Sequence, residues 1–90
     1  MKISFAKAAE VQLQRIQADL REESQELARR FAREVEAALW RLKRFPLSGQ
    51  AFDGVRRVVL RRSRYLMLYE MSNGGVYVTK LVHQRQKRDS

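Results

Sequence analysis

Residues 65–83 read YLMLYEMSNGGVYVTKLVH. Two apolar, β-branched and aromatic runs, Tyr65–Met71 and Val76–Val82, flank Ser72-Asn73-Gly74-Gly75. Those four residues tolerate positive φ, so the stretch reads as an antiparallel hairpin. In the first run Leu66, Leu68 and Glu70 fall on one face, and Tyr65, Met67, Tyr69 and Met71 on the other. Both faces are largely apolar. One can rest on a helical layer, and the other then needs either a partner or a second layer made by the chain's own ends.

Working back from the hairpin, Val55–Arg62 is a third strand rich in Val and Arg, joined to Tyr65 by a tight turn at Arg62-Ser63-Arg64. Leu47–Gly54 (LSGQAFDG) has the composition of a loop. Before it, Leu27, Phe31, Val35, Ala38, Leu42 and Phe45 recur every three or four residues, the spacing of one helical face. Pro46 stops that helix, and Ser24 caps its start with Glu26 in the first turn. Leu13, Ile16 and Leu20, with Ala9 and Val11, mark an earlier helix from about Ala8 to Arg21–Glu23. Ile3 and Phe5 alternate within a short strand, Lys2–Ala6. The expected fold is α+β in the order βααβββ: an N-terminal strand, a helical hairpin over about 8–45, a three-stranded antiparallel sheet over about 55–83 and a basic tail, 84–90.

Ninety residues make one domain, 1–90, and 44% hydrophobic content supports a real core. The net charge of +9 is unevenly spread. Residues 1–53 carry ten Lys/Arg against eight Asp/Glu, whereas residues 54–90 carry nine against two. Such a half calls for a polyanionic or acidic partner. With no cysteine and one histidine, disulfides, thiolate metal sites and His clusters are excluded. No metal or cofactor is expected, so any chemistry must come from Arg, Lys, Glu, Asp, Tyr or His83. No window resembles a membrane span, and MKISFAKAAEVQLQ lacks the apolar core of a secretory signal, which makes the cytoplasm the expected location.

The segments ISFAKAAEVQLQRI, LKRFPLSGQ, GVRRVVLRR, YLMLYEM and VYVTKLVHQR, in this order and spacing, resemble the RelE/ParE superfamily of type II toxins. The more specific part is the C-terminal half: an Arg soon after Gly54, a central tyrosine strand, and a strand closing in His83-Gln84-Arg85. The resemblance implies two helices on a twisted antiparallel sheet and a cognate antitoxin that wraps the toxin in a hetero-oligomer. Its two main activities differ in class. RelE-like members cut messenger RNA on the ribosome, and ParE-like members poison DNA gyrase without catalytic groups of their own.

RNA cleavage through the 2′-hydroxyl needs a base, an acid and cations on the phosphate. RelE-like nucleases are similar in placing an Arg inside the central strand, in a pattern like Tyr-Arg-x-x-Tyr. Here the stretch is Tyr65-Leu66-Met67-Leu68-Tyr69, with Leu66 in the arginine's place. The tail QRQKRDS after His83 holds no tyrosine to act as acid or base. The ParE-like branch therefore fits better, with no catalytic residues and with gyrase or the gyrase–DNA complex as target. The alternatives are a messenger-RNA nuclease working through His83, Arg85, Arg61 and Arg64, and a degenerate member kept only to bind its antitoxin.

Target contacts are expected from Arg61, Arg62, Arg64, Lys80, His83, Arg85, Lys87 and Arg88, although the terminal basic run also reads as a solvated tail and His83 as a strand-end ring bonded to a neighbour. Antitoxin contacts are expected from Tyr65, Met67, Tyr69, Met71 and Trp40, with packing on the long helix as the other reading of Trp40. Arg56 is expected to hold the preceding loop through carbonyls or a carboxylate.

Overall fold

Ser24 divides the helical half. In the computed structural model, which describes residues 2–85, it adopts extended geometry (φ −168°, ψ 131°) between α1 (Lys7–Glu23) and α2 (Gln25–Arg44). Its N–H donates to the Leu20 carbonyl at 2.8 Å, closing α1. Its Oγ accepts from the N–H groups of Glu26 (3.1 Å) and Leu27 (3.4 Å), opening α2. Glu26 then meets the positive helix end, and Arg41, Lys43 and Arg44 meet the negative one. The stripe read from the sequence buries Phe31, Val35, Ala38 and Leu42, while Phe45 falls past the helix end and stays exposed. Among the described residues no helix is long and apolar enough to cross a membrane.

The sheet has five strands, not three. They are β1 (Lys2–Phe5), β2 (Gln50–Phe52), β3 (Val55–Leu60), β4 (Tyr65–Ser72) and β5 (Gly75–His83), in the spatial order β1-β5-β4-β3-β2. Nor is the sheet wholly antiparallel, because β1 lies parallel to β5 with Lys2 opposite Gly75. Gly75 permits that approach: a Cβ there would stand 2.7 Å from the Lys2 carbonyl oxygen. Of the four turn residues in the sequence signal, Asn73 (φ 51°) and Gly74 (φ 74°) carry the positive φ that a two-residue hairpin turn requires. The expected loop 47–54 contains β2, turned onto β3 by Asp53 (φ 54°) and Gly54 (φ 82°) in the same way.

A β-bulge decides which side chains β5 buries. Leu68 pairs with Lys80 but Tyr69 pairs with Val78, so Thr79 is the additional residue. Strict alternation from Val76 and Val78 would turn Lys80 inward. The bulge instead turns Leu81 inward, 2% exposed, and leaves Lys80 exposed. Beyond the end of β1, the freed Leu81 N–H donates to Gln12 Oε1 of α1 at 3.0 Å.

The core lies on one side of this sheet: Val58, Leu60, Met67, Tyr69, Val76, Val78 and Leu81 against Ala9, Phe31, Val35, Ala38 and Leu42. The helices therefore cover the Tyr65/Met67/Tyr69 face of β4. For Met67 and Tyr69 this corrects the expectation that they await a partner. Met67 and Tyr69 are wholly buried, Tyr65 packs at the core margin, and Met71 is 39% exposed. The opposite face carries Leu66, Leu68 and Glu70, with Arg57 and Val59 of β3 and Lys80 and Val82 of β5 as cross-strand neighbours.

Candidate functional site: a clamped arginine turn at one end of the sheet

Two devices hold opposite ends of β3. At its start, the Arg56 guanidinium donates through Nη1 to the carbonyls of Leu47 (3.1 Å) and Gly49 (2.8 Å). Tyr69, paired with Arg56 across the ladder, donates its hydroxyl to the Pro46 carbonyl (2.7 Å) and accepts from the Gly49 N–H (2.9 Å). Arg56 thus has the expected loop-holding role, acting through carbonyls. The tyrosine beside it was assigned to a partner surface and instead fastens the same loop from inside.

At the other end of β3, residues 61–64 turn the chain into β4. Glu34, midway along α2, accepts from the backbone N–H groups of Arg62 (2.8 Å, Oε2) and Ser63 (3.1 Å, Oε1). The Arg64 N–H donates to the Leu60 carbonyl and the Gln84 N–H to the Arg64 carbonyl, each at 2.8 Å. Arg64 has φ 65°, in the left-handed region that disfavours a side chain. Arg61, Arg62 and Arg64 are exposed on this turn, and exposed Arg85 lies just beyond His83, which pairs with Tyr65. The fold so gathers four of the seven expected target-binding cations, together with His83. Lys80 stands apart, three residues before His83 on the sheet's open face and about 10 Å away along the strand. Lys87 and Arg88 lie outside the described residues.

His83 belongs to the helix-facing side of the sheet. Its ring meets Tyr65 edge-on (centroids 4.9 Å, 89°), and Tyr65 in turn meets Phe31 (5.6 Å, 62°). Its Nδ1 accepts from the Arg85 N–H at 3.2 Å. Burial, helped by the negative charge of Asp19, raises the Tyr65 phenol above the ordinary tyrosine value of 10.0. The sign follows. The folded state keeps that proton where the unfolded chain has begun to lose it, so the associated stability is complete below about pH 10 and is lost as pH rises through the folded-state value. Urea midpoints measured across that range should fall with pH for the wild type and fall less for Tyr65→Phe.

Leu66, where the nuclease pattern has its arginine, is 5% exposed and lies on the open face, opposite in side to His83. Beside it Val59 is 44% exposed, and Arg57 bonds Gln50 Oε1 through Nη2 at 3.2 Å. Trp40 is 61% exposed, outside the core, with the guanidinium of Arg44 on the same helix 5.2 Å from its ring centre. It borders an open groove lined also by Lys2, Ile3, Leu39 and Lys43, near exposed Phe45 and Leu47. Sequence reasoning missed Glu34, Arg57 and this exposed pair. Strand parity counted back from Val58 and Leu60 would have found Arg57, whereas nothing local marks Glu34.

Over residues 3–88 the sequence matches the family described as ParE toxin of type II toxin-antitoxin system, parDE. The chain belongs to this ParE toxin family. Among solved structures, the ParE fold seen here is similar to one described as a chromosomal ParDE TA system from P. aeruginosa. The TM-score is 0.77 at 15% identity, covering 92% of this chain and 95% of that one. At that identity the likeness is one of fold. No curated protein sequence matches the chain.

Proposed function

We propose that this ParE-family chain acts in the cytoplasm on DNA gyrase or the gyrase–DNA complex, by binding rather than by catalysis, and that a cognate antitoxin neutralises it. The observation that carries the reading is the separation of the nuclease parts. Leu66 occupies the open face where a phosphate-binding arginine would be needed, while His83 sits on the other side of the sheet against Tyr65. With leucine there, the central strand supplies no cation to a phosphate, and the His83 ring is engaged by Tyr65 and by the Arg85 N–H.

Membership in a toxin–antitoxin family supports the antitoxin. Of the residues assigned to it from the sequence, Trp40 and Met71 are exposed, Tyr65 is accessible at the margin, and buried Met67 and Tyr69 are withdrawn. The test is a gyrase supercoiling reaction with purified protein. Inhibition, or trapping of cleaved DNA, supports the reading, and no effect at a large molar excess removes it.

One observation favours ribosome-dependent messenger-RNA cleavage as a second reading: His83 stands at the same sheet end as Arg61, Arg64 and Arg85. Codon-linked cuts in translating ribosomes, lost in a folded His83→Ala variant, would select it.

A further inference from the structure

The 61–64 turn carries three exposed arginines on a backbone held by hydrogen bonds. On α2, Arg29 and Arg30 pair with Glu26 at 3.9 and 3.5 Å. At the turn the nearest carboxylate, Glu34, faces the backbone N–H groups of Arg62 and Ser63. Among the described residues none of the three turn guanidiniums forms an ion pair with a carboxylate. Arg64 also holds a backbone conformation in which Gly or Asn would be more comfortable (φ 65°), so the chain keeps a cation there against local preference. The turn is fixed from three sides: by Glu34, by the Leu60 carbonyl and by Gln84.

We propose that this turn grips the phosphate backbone of duplex DNA, and that Glu34 is the positioning residue that sets its three arginines for the purpose. The proposal rests on the gyrase–DNA reading above and names the part of that complex the turn meets. Guanidinium forks match phosphate oxygens two at a time, and phosphate contacts need little apolar surface. A protein partner would instead need buried aromatic or aliphatic anchors at the centre of contact. The most exposed such residues, Trp40, Phe45 and Leu47, lie at the C-terminal end of α2 and just past it, with Arg44 about 15 Å along the helix from Glu34.

The test is fluorescence anisotropy with a labelled mixed-sequence DNA duplex over a salt series. The slope of log affinity against log salt should become shallower by about 0.9 for each phosphate contact removed, so up to about 2.7 for the combined variant Arg61→Ala, Arg62→Ala, Arg64→Gly. Arg64→Gly suits the backbone and should melt no lower than wild type, which keeps the result readable. Lys43→Ala, at the far end of α2, should leave the slope unchanged. Glu34→Gln separates positioning from bulk charge. It makes the protein more positive, so simple attraction would tighten binding, whereas a loosened turn should weaken it about threefold or more.

A wild-type slope in the combined variant, an equal loss in Lys43→Ala, or tighter binding by Glu34→Gln overturns the proposal. Loss of gyrase inhibition with DNA binding intact also overturns it while sparing the gyrase reading. DNA binding through the turn by a protein that never inhibits gyrase does the reverse.

Discussion

Phe31→Ala should remove about 3–5 kcal/mol of folding stability, the ordinary consequence of truncating a buried phenylalanine. Phe31 is 2% exposed at the centre of the α2 stripe, packed on the sheet core. The same truncation removes the edge-on contact with Tyr65, worth about 0.5–1.5 kcal/mol more. A domain of this size holds only about 5–13 kcal/mol in total. The urea midpoint should therefore fall by roughly a third or more, and the variant should be partly unfolded at growth temperature. Phe31→Leu, which keeps most of the volume, should cost much less. A loss under about 1 kcal/mol for Phe31→Ala would mean that α2 does not pack on the sheet as described.

Tyr69→Phe should cost about 2–4 kcal/mol although it removes a single oxygen. The ring is fully buried and phenylalanine fills its place, so the loss is confined to the hydroxyl. That hydroxyl serves the Pro46 carbonyl and the Gly49 N–H, and both would be stranded away from water. The expected fall in melting temperature is roughly 10–25 °C, read by circular dichroism. Arg56 would still hold the carbonyls of Leu47 and Gly49, so the loop should loosen rather than detach. A change of only a degree or two would show that water replaces the hydroxyl. Gly49→Ala should move stability the same way, since its Cβ would run into the Tyr69 hydroxyl.

Tyr69 also shows where the sequence stopped being readable. Strand parity sorted β4 into the correct two faces, and the helical spacing found the stripe that covers one of them. Both faces of β4 are apolar, so choosing the covered one was a matter of small signals. Glu70 was the usable one: a carboxylate shared with Leu66 and Leu68 marks the open side, because an unpaired charge does not enter a core.

Other features left no local trace. Lys2–Phe5 has no hairpin linking it to a neighbour, so its parallel pairing with β5 is set by the path through the helices and by the missing side chain of Gly75. The bulge at Thr79 follows from the need to keep Lys80 out of the core, and its position is fixed only when β4 and β5 are paired. Asp53-Gly54 is a hairpin signal as clear as Asn73-Gly74, hidden because the strand before it is three residues long. The basic turn was visible as composition. The clamp that orients it was not, because Glu34 lies 28 residues from Arg62 and looks like any exposed helical carboxylate.

The most direct measurement is a titration of gyrase supercoiling with wild-type protein, the combined turn variant and His83→Ala, each confirmed as folded. Binding through the arginine turn without catalysis gives inhibition by the wild type and His83→Ala at the same concentration, and little by the turn variant. Full inhibition by the turn variant, or loss of it with His83→Ala alone, would contradict that assignment.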